Sequence, residues 1–391
     1  MMLTGNHAAA YAAKLARVEV IPLYPITPQT SIVEKITEFI TNGELDAECC
    51  PAESEHSVMA VATAAAATGA RVFTASSSHG VAFMHENLFA PPAMRLPMVM
   101  AIANRAMGPP QDIYDDHSDS LAQRDTGWIQ VYTENAQETL DAILQGYRIA
   151  EDKRVLLPVH ICFDGLKVSH FLERVELPSQ SEIDDFLGEY EPHHVFLNPK
   201  KPMHIGEVCD HSYYMEYRYQ QKVAMDQAIH VIQEVSDEYG KRLGRKKEGG
   251  LVQTFFLEDA EVALLTMGSI SGLARNVIRR MREDGVKIGL IKLRVFRPFP
   301  QEELREIACH LKMIVTIDKN VSLGMSGIVH SELATSLYGL ESKPLLLDYI
   351  AGLGGRFIFQ EDLEKMIKDA FGILGKGTLK DPIRWYGVRG T

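Results

Sequence analysis

Short apolar runs alternate with amphipathic segments along most of this chain. That alternation predicts an α/β protein built on parallel sheets with helices on both faces. Two further observations support it. The run "LPMVMAIA" (Leu96–Ala103) is apolar throughout, as a strand covered on both sides must be. The alternation also stops near residue 170, gives way to a polar stretch and resumes at Glu261. The chain is therefore expected to divide into two α/β units, 1–245 and 246–391.

In the first unit, the Ala-rich segment Asn6–Arg17 reads as helix and Val18–Leu23 as strand. Apolar residues at Ile32, Val33, Ile36 and Phe39 mark one face of a helix over Gln29–Phe39. Ser57–Thr68 is Ala-rich helix, with Gly69 suited to end it. Arg71–Ala75 is a strand, followed by Leu96–Ala103, the helix Ala136–Ala150 and the strand Val155–Phe163. Residues 170–250 are rich in Glu, Pro, His, Tyr and Lys, and a long polar-faced helix is expected over Tyr214–Tyr239. "GKRLGRKKEGG" reads as a solvated linker after it. In the second unit, strands are expected at "EVALLTMGS", Lys287–Val295, Met313–Asp318 and Leu345–Ile350. Helices are expected at Ile270–Glu283, Glu302–Leu311, Gly327–Tyr338 and Gln360–Phe371.

Composition excludes several classes of function. The 391 residues are 46% apolar, enough for a large core. The net charge of −12 disfavours nucleic acid and anionic membranes as partners. No apolar run approaches the ~20 residues of a membrane helix, and the N-terminus lacks the pattern of a signal peptide. The five cysteines, Cys49, Cys50, Cys162, Cys209 and Cys309, form no CxxC pair and match no iron–sulfur or zinc spacing. A cytoplasmic chain with no metal and no cluster of its own is expected.

Ligands of open parallel sheets bind beyond the carboxyl ends of the strands, where helix N-termini point. Four polar groups fall at such corners. In "LYPITPQT" the two prolines restrict Tyr24 and Thr27 to extended backbone, and Pro28 suits the first helical position with Thr27 as N-cap. Taken alone, such a threonine is a helix cap. Glu55 in "PAESEHSVM" lies in the first turn of a helix, where the dipole favours a carboxylate. Arg105 follows the run "MVMAIAN" and suits a bidentate grip on a carboxylate, or an ion pair with the loop after it. That loop, "GPPQDIYDDHSDSLAQRDTGW", carries Asp112, Asp115, Asp116, His117 and Asp119 but neither EF-hand nor zinc spacing, so internal ion pairs involving Arg124 and Asp125 are the preferred reading. "GSISG" (Gly268–Gly272) and "GLGG" (Gly352–Gly355) are weak candidates for anion-binding turns.

The blocks "YPITPQT", "SEHSVMA", "ATGARVFTASSSHGV", "RLPMVMAIANRA", "DDHSDSLAQRDTGWIQ", "FDGLKVSH" and "IGLIKLRVFRPFP" occur in this order. Together they resemble the α subunit of the 2-oxoacid:ferredoxin oxidoreductase family, of the pyruvate:ferredoxin type. The resemblance implies a transketolase-like pyrimidine-side domain that binds thiamine diphosphate, followed by a smaller domain like the C-terminal domain of transketolase. It implies oxidative decarboxylation of a 2-oxo acid to an acyl-CoA, with coenzyme A as co-substrate and ferredoxin as electron acceptor. Glu55 would contact the aminopyrimidine ring, with Tyr24, Pro25, Ser78 and His79 around the cofactor. Thr27 and Arg105 would hold the substrate, and Asp112, His117 and Asp119 would belong to a substrate loop. His79 stands where many relatives would carry glutamine. No GDG…N pattern for the cofactor's diphosphate is present, so a β subunit would supply it with Mg2+ and a [4Fe-4S] cluster. A γ subunit and a ferredoxin-like δ subunit would complete the complex. The competing readings are another 2-oxo acid, a non-redox thiamine-dependent decarboxylase or transketolase-like subunit, and a scaffold without chemistry.

Overall fold

The computed structural model describes residues 1–245 and 249–390; three residues of the expected linker, 246–248, lie outside them. Two parallel sheets organise the chain. In the first, Phe73–Ser76, Val99–Asn104, Val159–Asp164 and Ile129–Thr133 are neighbours in that spatial order and run parallel. Val20–Leu23 pairs in parallel with Glu48–Pro51, and a bridge from Val20 to Val72 continues the array. Every residue of Val99–Asn104 is buried, because helices cover both faces of the sheet. The helix Gly5–Leu15 uses its alanines to pack closely on Ala136–Ala150.

The second sheet runs Ile383–Trp385, Leu345–Ile350, Met313–Asp318, Val262–Thr266, Ile288–Leu293, with Val252–Phe255 antiparallel at its edge. The expected helices Ala136–Ala150 and Ile270–Glu283 and the strands Met313–Asp318 and Leu345–Ile350 appear with the bounds read from sequence. The long helix spans Tyr214–Leu243.

Several elements depart from expectation. Gln180–Leu187 is a helix inside the stretch read as irregular, and its signal was the capping box of Ser179 and Glu182. Val295 does not extend the preceding strand. Val295–Arg297 forms its own strand and pairs antiparallel with Gln130 and Val131, at the edge of the first sheet. Thr27 is not an N-cap. The helix starts at Thr30, and Pro28 lies in a turn closed by the Gln29 amide on the Ile26 carbonyl (2.9 Å). The Asn6 side chain holds the Pro28 carbonyl at 2.7 Å, which keeps that residue outside the helix.

The chain after residue 249 is bound to the first sheet by buried charge. Lys292 and Arg294 approach Glu138 at 2.8 and 3.4 Å, and all three are almost fully buried. Burial alone would raise the Glu138 carboxyl, but the two cations outweigh it and hold the group below the usual carboxylate range.

A second buried group sits at the carboxyl edge of the second sheet. Asp318 accepts the amides of Val329 (3.2 Å) and His330 (2.9 Å), and Asp348 accepts the Gly327 amide at 2.8 Å. A Cβ on Gly327 would stand 2.1 Å from Asp318 Oδ2, so only glycine fits. Burial and then the neighbouring Asp318 push Asp348 up to about 8, and burial pushes Asp318 up to about 6. The native pair therefore retains a proton that the unfolded chain releases near pH 4. Native protein binds more protons over that range, so stability falls as pH rises from about 4 toward about 8. Asp348→Asn should flatten this slope, which approaches about 1.4 kcal/mol per pH unit for one proton; urea unfolding at pH 5.5 and 7.5 measures it.

Candidate active site

Val20–Leu23, Glu48–Pro51, Phe73–Ser76 and Val99–Asn104 run parallel in one array, so their carboxyl ends share one edge. Tyr24, Pro25 and Thr27 follow Val20–Leu23; Ser54 and Glu55 follow Glu48–Pro51; Ser77–His79 follow Phe73–Ser76; Arg105 follows Val99–Asn104. The Ala52 amide bonds the Leu23 carbonyl (3.0 Å), which seats the Glu55 corner beside the Tyr24 corner.

Glu55 begins the helix Glu55–Ala67, capped by the Ser54 hydroxyl on the Ser57 amide. It is 8% exposed, and its carboxylate has no hydrogen-bond partner among the described residues. Its neighbour Glu53, by contrast, is bound to Ser57. Glu55 Oε1 and Ser76 Oγ both border the space above Gly80, where a Cβ would stand 2.5 and 2.6 Å from them. Ser76 Oγ is buried without a partner among the described residues. Two polar groups without protein partners that meet at one glycine are a place where a ligand could complete the hydrogen bonding.

The next corner is strained. Ser78 has φ +47°, in the left-handed region that a non-glycine residue adopts at a cost. Its amide donates to Asp119 Oδ2 (2.8 Å) and its hydroxyl to the Ala106 carbonyl (2.7 Å). His79 is exposed, and its Nε2 accepts the Gly108 amide at 3.2 Å. The Asp119 carboxylate also accepts the Arg105 amide (3.0 Å), the Asn104 side chain (2.7 Å) and the Ser120 amide (2.8 Å). Burial pushes Asp119 up to about 6 against those donors. Asp119 thus ties two strand ends together from beneath and is closed to solvent.

Arg105 reaches back across the edge. Its Nε donates to the Asp112 carbonyl (2.7 Å) and its Nη1 to the Thr27 carbonyl (3.1 Å). Thr27 and Arg105 are therefore neighbours, and the Thr27 side chain is exposed. His117 is buried against Asp164, Nε2 to Oδ1 2.8 Å. The expected pairing of Arg124 with Asp125 is present at 3.9 Å, on the surface.

Residues 11–237 match the family described as pyruvate flavodoxin/ferredoxin oxidoreductase, thiamine diphosphate-binding, and residues 260–363 match the pyruvate:ferredoxin oxidoreductase core domain II. The chain belongs to the pyruvate:ferredoxin oxidoreductase family. It is 47% identical to the pyruvate synthase subunit PorA of Pyrococcus abyssi over 99% of this chain and 98% of that one. The ketoisovalerate oxidoreductase subunit VorA of Pyrococcus horikoshii is 44% identical over the same shares. Among solved structures, a 2-oxoglutarate:ferredoxin oxidoreductase from Magnetococcus marinus superposes with TM-score 0.72 at 17% identity, over 94% of this chain and 65% of that one. A split-gene transketolase superposes with TM-score 0.54 at 13% identity, over 95% of this chain and 99% of that one. The fold is transketolase-like, as the sequence motifs implied, and the family is one of oxidoreductases.

Family membership gives the unpaired groups above Gly80 a setting: they lie in the part of the chain that matches the thiamine diphosphate-binding domain. The sequence reading passed over Ser76 and Gly80, because a serine and a glycine inside "SSSHGV" carry no charge and no periodic signal. Their role depends on how close the helix Glu55–Ala67 approaches. Gly80→Ala should cost most of the activity while leaving far-UV circular dichroism unchanged, because the new methyl displaces Glu55; activity within twofold of the parent would show that the space above Gly80 is not used.

Proposed function

We propose that this chain is the α subunit of a pyruvate:ferredoxin oxidoreductase and forms one wall of a shared active site. The reaction is pyruvate, coenzyme A and oxidised ferredoxin to acetyl-CoA, CO2 and reduced ferredoxin, two electrons being transferred, and it is reversible. The observation that carries the choice of substrate is the ranking of relatives. PorA chains of three Pyrococcus species are 46–47% identical over 99% of this chain, against 42–44% for the VorA chains of the same species. That margin is narrow, so a branched 2-oxo acid such as 2-oxoisovalerate is the second reading.

In this proposal Glu55 meets the aminopyrimidine ring of thiamine diphosphate. The residues fit such a ring: a carboxylate on a largely buried residue with no partner among the described residues, an orphaned Ser76 hydroxyl, and Gly80, whose missing Cβ lets both side chains lie close together. When bound, the cofactor supplies the nucleophilic carbon and the electron sink for decarboxylation. Glu55 would hold the ring and could share a proton with it. Tyr24, Pro25, Ser78 and His79 line the same edge. The Arg105 guanidinium and the Thr27 hydroxyl hold the substrate's carboxylate and carbonyl. The guanidinium is held before binding by the Asp112 and Thr27 carbonyls, which removes ordering entropy from the reacting complex. Asp119 and His117 act through the backbone and Asp164, not on the substrate, and Asp112 acts through its carbonyl on Arg105.

The same proposal places the diphosphate, Mg2+ and a [4Fe-4S] cluster on a β subunit, with γ and ferredoxin-like δ subunits completing a cytoplasmic complex. It assigns the pyrimidine side to residues 1–245 and the smaller unit to 246–391. No described helix is long and apolar enough to cross a membrane.

The test is a steady-state assay of the purified complex with pyruvate, 2-oxobutyrate, 2-oxoisovalerate, 2-oxoglutarate and oxalate. Pyruvate should give the highest kcat/KM. Glu55→Gln should lower turnover by about 10²-fold or more in a complex of unchanged subunit composition. Unchanged turnover in that variant would leave the chain as a scaffold.

A further inference from the structure

We propose that the glycine turn Gly352–Gly355 of the second unit is a positioning element for Arg105. The inference rests on the reading of Arg105 as a substrate-binding residue. It concerns what aims that guanidinium.

Both acceptors of the Arg105 side chain are backbone carbonyls, those of Asp112 and Thr27. The direction of the guanidinium therefore depends on where the loop 106–116 lies. No helix or strand occurs between Asn104 and Ser118. Within the loop, the Ala106 amide bonds the Tyr114 carbonyl (3.0 Å) and the Tyr114 amide bonds Asp112 Oδ1 (3.0 Å). These contacts shape the loop locally but do not anchor its far end.

Lys167 of the first unit lies 3.1 Å from Asp115 Oδ1, and the second unit supplies the contacts to the loop's backbone. The Gly355 amide donates to the Asp115 carbonyl at 2.6 Å, and the Gly354 amide to Asp116 Oδ2 at 3.2 Å. The His117 amide donates to the Lys319 carbonyl at 2.9 Å. Gly354 and Gly355 have φ of +56° and +68°, which a side chain would strain. A Cβ on Gly354 would stand 2.5 Å from Asp112 Oδ2, and one on Gly355 would stand 2.3 Å from Tyr114 Cβ. The turn thus lies directly on the residues whose backbone holds Arg105. Its Gly354 and Gly355 amides are taken by Asp116 and Asp115 rather than left for an external anion. A path of direct contacts runs from Gly354 through Asp112 to the Arg105 Nε.

The experiment compares Michaelis parameters of the assembled complex. Gly354→Ala should raise KM for pyruvate at least fivefold, with kcat within twofold and KM for coenzyme A unchanged. Asp116→Asn keeps the size of the side chain and removes the charge that accepts the Gly354 amide on one oxygen and the Ser118 amide and hydroxyl on the other. It should raise the same KM by a smaller factor, and it decides the matter if Gly354→Ala fails to assemble. Gly372→Ala, in the helix Gln360–Lys376 of the same unit and with nothing within 4 Å of its Cβ, should change neither parameter. Arg105→Met must itself raise KM for pyruvate; if it does not, the reading of Arg105 falls and this proposal with it. If Arg105→Met raises KM while Gly354→Ala and Asp116→Asn leave it unchanged, the positioning role alone is overturned. A parallel loss of kcat and of affinity for both substrates would mark the turn as a general packing element and would also overturn it.

Discussion

The ammonium of Lys319 sits between Asp115 and Asp164, and much of the remaining architecture depends on that buried cluster. Lys319 bonds Asp115 and Asp164, the latter at 2.7 Å, with His117 on the other Asp164 oxygen at 2.8 Å. Burial alone would lower the lysine and raise Asp164. The opposite charges outweigh it, so Lys319 is held above its ordinary value and Asp164 well below. Removing one partner of such a cluster leaves an uncompensated buried charge, typically at about 3–5 kcal/mol. The three charged residues belong to the acidic loop, to the end of the strand Val159–Asp164 and to the end of Met313–Asp318. One cation therefore joins the carboxyl edges of both sheets.

The glycine turns complete that junction. The Ser269 amide of "GSISG" donates to Asp164 Oδ2 at 3.2 Å, and Gly268, at φ +76°, approaches both Asp164 and His117. Both turns do bind an anion or its backbone, as turns of their type do. The anion is the protein's own carboxylate. Across the same edge, Asp119 satisfies the amides at Ser78 and Arg105, while Glu55 and Ser76 are left without partners. The edge is rigid where it supports the site and unsatisfied where a ligand would complete it, a combination that folding alone would not favour.

Much of this was legible in the residues. Apolar runs such as Val99–Asn104 and periodic segments such as Ile270–Glu283 declare strand and helix because burial on two faces or on one stripe constrains composition strongly. The corner residues Thr27, Glu55 and Arg105 were legible because parallel strands direct their carboxyl ends to one edge. The short strands Val252–Phe255, Val295–Arg297 and Ile383–Trp385 were not. Each has only three or four residues, and their assignment depends on a partner strand distant in sequence. The Thr27 cap was not legible for a similar reason: the Pro28 carbonyl is bonded by Asn6, twenty-two residues away, in a turn that precedes the helix.

The sequence by itself determined the class of fold, the order of its elements and the family, since hydrophobic period and ordered motifs are local properties of the chain. Only the tertiary structure decided which polar groups are spent on one another and which are left free. Asp119, Asp164 and Lys319 are buried struts between elements distant in sequence, while Glu55 is buried with no partner for its carboxylate among the described residues. That distinction follows from desolvation and pairing, and both are set by neighbours that sequence distance does not reveal.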